Sequence, residues 1–358
     1  MAAFLRPGNT TAPLGADPLG LSVLKPVCGL HPDEATLSEN VRSLLSQSYP
    51  FFEVLFGFQD ASDAALSVIE RVCAEFPQVP TRVVRVADAP GPNRKASVLA
   101  ALEPLARHPV VVVSDQDMRF APGYLQAVAA PFADERVGVV TCPYRCVQAH
   151  DVGGVLEALT VNVDFIPSVT VAGRLEGLSF ALGATMAARR EAVRAIGGFA
   201  HLQRYLADDY QLGNQIHICG WKVHLSPFTV DDMLGATPFM TYFKHQLRWA
   251  RTYRVCRPGG YFSSVLMHGV AFALGLWLLG WGSKPLLGWL LLRWAVALWN
   301  QVLLNGGAAN LWWLLMLPLR DVLAFALWVL AWWGDEVEWG GKRYVVSRDG
   351  TMRPRPTR

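Results

Sequence analysis

From about residue 21 the chain alternates between short apolar runs and longer amphipathic stretches. Residues 21–27, 53–58, 82–86 and 110–113 are brief and rich in β-branched or aromatic side chains, and they predict strands. Between them 34–47, 61–76 and 94–107 carry apolar residues at helical spacing. Strands alternating with helices of about 10–15 residues imply βαβ units, hence a mostly parallel sheet with helices on both faces.

The second half is less regular. A strand is expected over 178–187, containing Gly183, Ala184 and Thr185, and a short helix over 190–196 stops at Gly197-Gly198. A helix opens at Asp208-Asp209 and runs to about 218, followed by a strand at 221–225 and a helix at 238–254. Beyond it the pattern changes, because 262–280 and 285–304 are almost continuously apolar and each long enough to cross a bilayer. A third apolar stretch, 311–333, is interrupted by Pro318, Arg320 and Asp321. An Arg-Asp pair in hydrocarbon costs several kcal/mol, which places it at an interface, in a re-entrant turn or against protein. The expected division is a flexible segment 1–20, an α/β domain 21–260, membrane-embedded helices 261–333 and a basic tail 334–358. Lys342, Arg343, Arg348, Arg353, Arg355 and Arg358 place that tail on the cytosolic side by the positive-inside rule. Residues 1–20 hold Gly and Pro with no apolar core of signal-peptide length, so neither a leader nor an N-terminal span is expected there.

Composition adds little beyond this polarity of the chain. Of 358 residues 52% are hydrophobic and 17% charged, and the imbalance is concentrated toward the C-terminal end. A net charge of +3 without arginine–aromatic interleaving argues against nucleic acid as a partner. Six cysteines (28, 73, 142, 146, 219 and 256) form neither a disulfide framework nor a zinc spacing and read as reduced thiols.

The chemistry is concentrated at Ser114-Asp115-Gln116-Asp117, directly after the run Val110-Val111-Val112-Val113. The end of such a strand is where a parallel sheet opens its ligand crevice. Two ionised carboxylates this close are costly unless a cation shares them. A divalent metal that fills its shell from phosphate oxygens needs only one or two protein carboxylates. The plainer alternative is a solvated acidic turn. Asp208 and Asp209 have their own plain reading, since acids in the first turn of a helix offset its dipole. Neither a Ser-His-Asp set nor an activated cysteine is evident.

Six segments taken in order carry a resemblance: Lys25-Pro26-Val27-Cys28-Gly29, Phe58-Gln59-Asp60, Asn93-Arg94-Lys95, Ser114-Asp115-Gln116-Asp117, Ala207-Asp208-Asp209-Tyr210 and Gln246-Leu247-Arg248-Trp249. Over roughly 21–261 the chain resembles the ceramide glucosyltransferase family, membrane-bound inverting glycosyltransferases of the GT-A fold. It is also similar to bacterial glycosyltransferases of hopanoid biosynthesis. The resemblance implies a UDP-sugar donor, a lipid acceptor and a divalent metal, Mn²⁺ or Mg²⁺. On that pattern Pro26, Gly29, Asp60, Asn93 and Lys95 hold the donor. Asp117, with Asp115 behind it, holds the metal, and Asp209 is the general base. Arg248 and Trp249 either close over the diphosphate or acceptor, or anchor a helix at the membrane interface. Gly183, Ala184, Thr185, Asp208, His245 and Gln246 mark the acceptor region. Cys28, Gln116 and 178–184 are candidates for the variable pocket. His245 stands where the family has Gln or Arg, which leaves its role open. The family's N-terminal span has no counterpart in 1–20. The resemblance favours transfer of glucose to ceramide by an enzyme of the bacterial inner membrane whose catalytic domain faces the cytoplasm. Transfer of a sugar such as N-acetylglucosamine to a hopanoid is the alternative. A processive polysaccharide synthase and a non-catalytic sugar-nucleotide-binding membrane protein are remoter.

Overall fold

The computed structural model describes residues 18–60, 62–86, 91–305, 310–339 and 341–355, with the side chains of 303–305 also outside the description. Most of the expected flexible segment 1–20, the expected helix start at Ala61, and Arg358 therefore lie outside the described residues. The chain divides into two compact units: Met1–Gln148 with Val169–Gly235, and Ala149–Ser168 with Ala236–Arg358.

In the first unit the elements that frame the sheet are β1 (Leu21–Val27), α1 (Glu34–Leu45), β2 (Phe52–Phe58), α2 (Ala65–Ala74), β3 (Thr81–Arg85), α3 (Arg94–Leu102) and β4 (Val110–Ser114). Then follow β5 (Met118–Arg119), β6 (Val137–Thr141), β7 (Tyr144–Val147), β8 (Thr185–Arg189), α4 (Asp208–Ile218), β9 (Lys222–Leu225) and β10 (Val230–Met233). Seven strands form one sheet in the order β3-β2-β1-β4-β8-β6-β9. Strands β1 to β4 are mutually parallel, with Leu21 level with Phe52 on one side and Val110 on the other. β8 runs against both of its neighbours, with Ser114 opposite Thr185. β2 and β4 are buried along their whole length, and β1 nearly so, because helices cover both faces, which is why they read as continuous apolar runs. From β1 the chain steps outward to β2 and β3, then returns to place β4 on the other flank of β1. That reversal is a topological switch point, the place where open α/β sheets characteristically bind ligands at their strand ends.

Two sequence expectations shift in this unit. The strand expected over 178–187 forms only as β8, while Leu178 makes an isolated bridge to Val223 and Gly183 lies outside the ladder. The helix expected over 61–76 begins at Ala65, where Asp63 Oδ1 accepts from the Ala65 amide at 2.9 Å.

The second unit is helical. Helix Val152–Leu175, of which this unit holds the part up to Ser168, contains a π-helical segment Thr160–Phe165. After it come α5 (Phe239–Cys256), the short helix Pro258–Met267, α6 (Gly269–Leu278), α7 (Lys284–Asn305) and α8 (Leu317–Leu330). A three-stranded antiparallel meander closes it: β11 (Glu336–Trp339), β12 (Lys342–Val346) and β13 (Met352–Pro354). Within this unit α5 packs on Val152–Leu159: His245 Nδ1 lies 2.6 Å from Glu157 Oε1. The basic tail, as far as it is described, is this meander.

Large apolar side chains lie on the surface here, with Leu266 79%, Leu279 77% and Trp281 72% exposed. Such a surface is one for lipid rather than water. Among the described residues two helices are long and apolar enough to cross a membrane, Val152–Leu175 and Leu311–Leu330, and the pair Pro258–Met267 with Gly269–Leu278, bent by 53°, passes the same test jointly. The span expected over 285–304 does form a helix, but Lys284, Arg293, Asn300 and Gln301 dilute its apolar character. The span expected over 262–280 is broken at His268. The pair Arg320 and Asp321 is buried against protein: Arg320 Nη1 meets Asp321 Oδ1 at 2.6 Å, and Arg293 Nε meets Asp321 Oδ2 at 2.8 Å. Asp164, on the π-helical segment, completes the group by pairing with Arg293 at 2.8 Å and with Arg320.

Candidate active site

The acidic turn Asp115–Asp117 lies directly beyond β4, at the switch point. Gln116 fastens it to the loop beyond β1: its Oε1 accepts from the Cys28 amide at 2.7 Å, and its Nε2 donates to the carbonyls of Gly29 (3.3 Å) and His31 (3.4 Å). Below the turn sits Lys25 of β1, wholly buried, its Nζ donating to the Asp115 carbonyl at 2.6 Å. Burial lowers the Lys25 ammonium to about 8, against the pull of Asp117 and Asp115 toward the charged form. Asp117 Oδ1 is buried and has no hydrogen-bond partner among the described residues.

Lys95, in the first turn of α3, reaches the same turn from the side. Its Nζ lies 2.5 Å from Asp115 Oδ1 and 3.4 Å from the Gly183 carbonyl. Burial pushes the Asp115 carboxyl up to about 6, with Lys95 drawing it back and Asp117 adding to the rise. Burial works against the Lys95 cation too, but Asp115, Asp208 and Asp209 outweigh it and hold the group above the usual lysine range.

Asn93 caps α3, its side-chain oxygen accepting from the Ala96 amide at 2.9 Å. Its Nδ2 donates to the Tyr205 carbonyl and to Asp208 Oδ1, at 3.0 and 3.1 Å. Asn93 has no exposed surface, so it serves as a post under Asp208. Asp209, one residue into α4, is pushed above the ordinary carboxylate range by burial and by the Asp208 charge, with Lys95 opposing. Its Oδ2 lies 2.7 Å from where a β-carbon at Gly183 would stand, so Gly183 makes the room this carboxylate occupies.

The other expected residues of this unit spread around the same strand ends. Pro26 sits in the β1 ladder opposite Gly57, and the Gly29 amide, at φ 68°, donates to Asp63 Oδ2 at 2.8 Å. Asp60 is exposed beyond β2, where its Oδ1 accepts from the Ser62 amide and hydroxyl at 2.8 and 2.7 Å; these bonds lower its carboxyl below the usual range. The Ala184 carbonyl accepts from the Asp115 amide at 3.2 Å. Thr185, expected in the acceptor region, is fully buried, its hydroxyl shared with Tyr124 and donating to the Val113 carbonyl.

His245, Gln246, Arg248 and Trp249 belong to the second unit, on α5. Glu157, which the sequence reading missed, holds the His245 ring from a nearly buried position. Trp249 packs edge-on against His245 at 4.7 Å and lies 5.8 Å from Phe165. Gln246 is buried. In the sequence Lys25 stands out only within the segment Lys25–Gly29, and the signal for its buried position is a lysine inside an otherwise apolar strand.

Three-carboxylate or histidine clusters of the kind that hold a metal by protein alone do not occur among the described residues. The residues present do fit a divalent cation that takes most of its ligands from a diphosphate, since Asp117 offers a buried, unpaired oxygen and Asp115 a second carboxylate.

Ceramide glucosyltransferase 3 of Caenorhabditis elegans is 22% identical over 65% of this chain and 50% of its own length. A beta-monoglucosyldiacylglycerol synthase of Trichormus variabilis is 24% identical over 61% of this chain and 46% of its own. The chain thus spans about half the length of these curated relatives. Among solved structures, the mannosyltransferase PcManGT from Pyrobaculum calidifontis, in complex with GDP-Man and Mn²⁺, superposes with a TM-score of 0.51 at 18% identity over 92% of both chains. The fold is therefore that of the GT-A glycosyltransferases. The model of glycosyl transferase family 21 matches residues 4–352, and the chain belongs to that family.

Proposed function

We propose that this protein is an inverting, metal-assisted glycosyltransferase that moves glucose from UDP-glucose to the hydroxyl of a membrane lipid, with ceramide first and diacylglycerol second among acceptors. The observation that carries the reading is one strand-end edge presenting two acidic groups of different character. Asp115–Asp117 is flanked by two ammonium groups, while Asp209 stands against Gly183 with its proton affinity raised. The names of the matched relatives support glucose as the sugar and either ceramide or diacylglycerol as acceptor.

In this reading Asp117 and Asp115 hold the divalent cation, which when bound neutralises the leaving diphosphate. Asp60, Pro26 and Gly29 frame the nucleotide end. Asp208 is set by Asn93 and in turn raises the basicity of Asp209. Asp209 takes the proton of the acceptor hydroxyl as its oxygen attacks the anomeric carbon. The bond from that carbon to the phosphate oxygen breaks, and UDP leaves with the electron pair. A single displacement inverts the anomeric centre. The exposed apolar surface of the second unit keeps the enzyme at a bilayer, where the acceptor's chains remain in lipid. A catalytic unit on the cytoplasmic side meets UDP-sugars where they are made.

The test is product formation by purified full-length protein in detergent with Mn²⁺, offering UDP-glucose and UDP-N-acetylglucosamine against ceramide, diacylglycerol and a hopanoid polyol. One glucolipid, absent with Asp209→Asn, is expected. A hopanoid product would replace the acceptor assignment, and a growing polymer would replace the reaction class.

A further inference from the structure

Two lysines address the acidic turn in different ways. Lys25 is locked, with no exposed surface, its Nζ under the Asp115 carbonyl and 5.6 Å above the Phe120 ring. Lys95 is 20% exposed and is held at the turn by its contacts with Asp115 Oδ1 and the Gly183 carbonyl. A carboxylate oxygen bridged at 2.5 Å to an ammonium is not fully available to a metal, whereas Asp117 Oδ1 is buried and lacks a hydrogen-bond partner among the described residues. The turn therefore carries its own countercharge at one acid and an open oxygen at the other.

We propose that Lys95 is a gatekeeping cation: it occupies Asp115 against a bare divalent metal and hands that carboxylate over when metal and nucleoside diphosphate arrive together, the ammonium then turning to the phosphates. This rests on the metal and donor roles assigned above. Lys25 cannot make such an exchange, because its Nζ is enclosed and fixed to main chain. Lys95 can, because its side chain reaches the crevice and an anionic diphosphate offers it a replacement partner. The consequence is a coupling of sign opposite to that of an ordinary metal ligand. Removing Lys95 makes the empty turn a better metal site and a poorer nucleotide site.

The experiment is a Mn²⁺ titration of the full chain in detergent by electron paramagnetic resonance, without and with UDP. The variants are Lys95→Met, Lys95→Arg and Asp117→Ala, with thermal unfolding recorded for each. Lys95→Met should bind bare Mn²⁺ about tenfold tighter, as expected for loss of a cation next to a carboxylate. It should also bind UDP about tenfold more weakly at saturating Mn²⁺. Lys95→Arg, which keeps the charge, should remain near the parent for bare Mn²⁺. Unchanged or weaker bare Mn²⁺ binding in Lys95→Met, with Asp117→Ala abolishing it, overturns the exchange and leaves the metal assignment standing. Mn²⁺ binding that survives Asp117→Ala overturns both. Opposite shifts for metal and nucleotide in one variant do not arise from loss of fold.

Discussion

The two units bury charge in contrasting ways. In the helical unit Asp164, Arg293, Arg320 and Asp321 form a closed group, two acids against two guanidinium ions, each touching at least two others. In the sheet unit the charges at the strand ends are left open: Asp117 Oδ1 and Asp208 Oδ2 are buried without hydrogen-bond partners among the described residues, and Lys95 is shared among several acids. Saturated charges fix helices in register, and on the function proposed above the unsaturated ones are where the metal and donor would bind. Burial of an ionisable group therefore says little about function until its partners are counted.

The largest effect should come from the open set. Asp209→Asn should lower kcat by about a thousandfold, within the usual range for a lost general base, while UDP binding measured by calorimetry stays near the parent. Near-normal turnover would return Asp209 to a mere helix-capping acid. In the closed set Arg320→Met should cost about 3 kcal/mol of stability by leaving buried acid uncompensated, read as a lower unfolding midpoint in detergent. Adding Asp321→Leu should recover part of it; no loss in the single variant would mean that the group is solvated. Gly183→Ala sharpens the comparison, since its β-carbon would stand 2.7 Å from Asp209 Oδ2. Displacing that carboxylate should lower kcat by about tenfold to a hundredfold with little change in unfolding temperature. The smallest effect is one of pH. Asp209 must be ionised to accept a proton, and its folded pKa lies above the ordinary carboxylate value of about 4. Activity should therefore fall as pH drops through that raised value. Asp208→Asn removes a neighbouring negative charge and should move this acid limb of the kcat profile to lower pH. A limb that does not move would separate the two acids.

The part of the molecule that was legible in the sequence shares one property, local determination. Strands β1, β2 and β4 announce themselves because their covered faces demand unbroken apolar runs. The acidic turn follows β4 directly, and Asp208-Asp209 opens a helix, so their placement needed only the neighbouring residues. Helix Val152–Leu175 was not anticipated, since Glu157 and Asp164 interrupt its apolar pattern. Their partners His245, Arg293 and Arg320 come much later in the chain. For the same reason α5 looked like an extension of the sheet domain. Thr185 looked accessible beside Gly183 and Ala184, yet pairing of β8 with β4 turns it inward onto Tyr124.

Gln116 lies between the two acids of the turn, and its side chain bonds the Cys28 amide and the Gly29 and His31 carbonyls. Hydrogen bonds of this kind contribute about 0.5–1 kcal/mol each, so peeling the acidic turn away from the β1 loop costs about 2 kcal/mol. On the function proposed above, a nucleotide arriving at this edge would meet a seat already made, with little of its binding energy spent on shaping it.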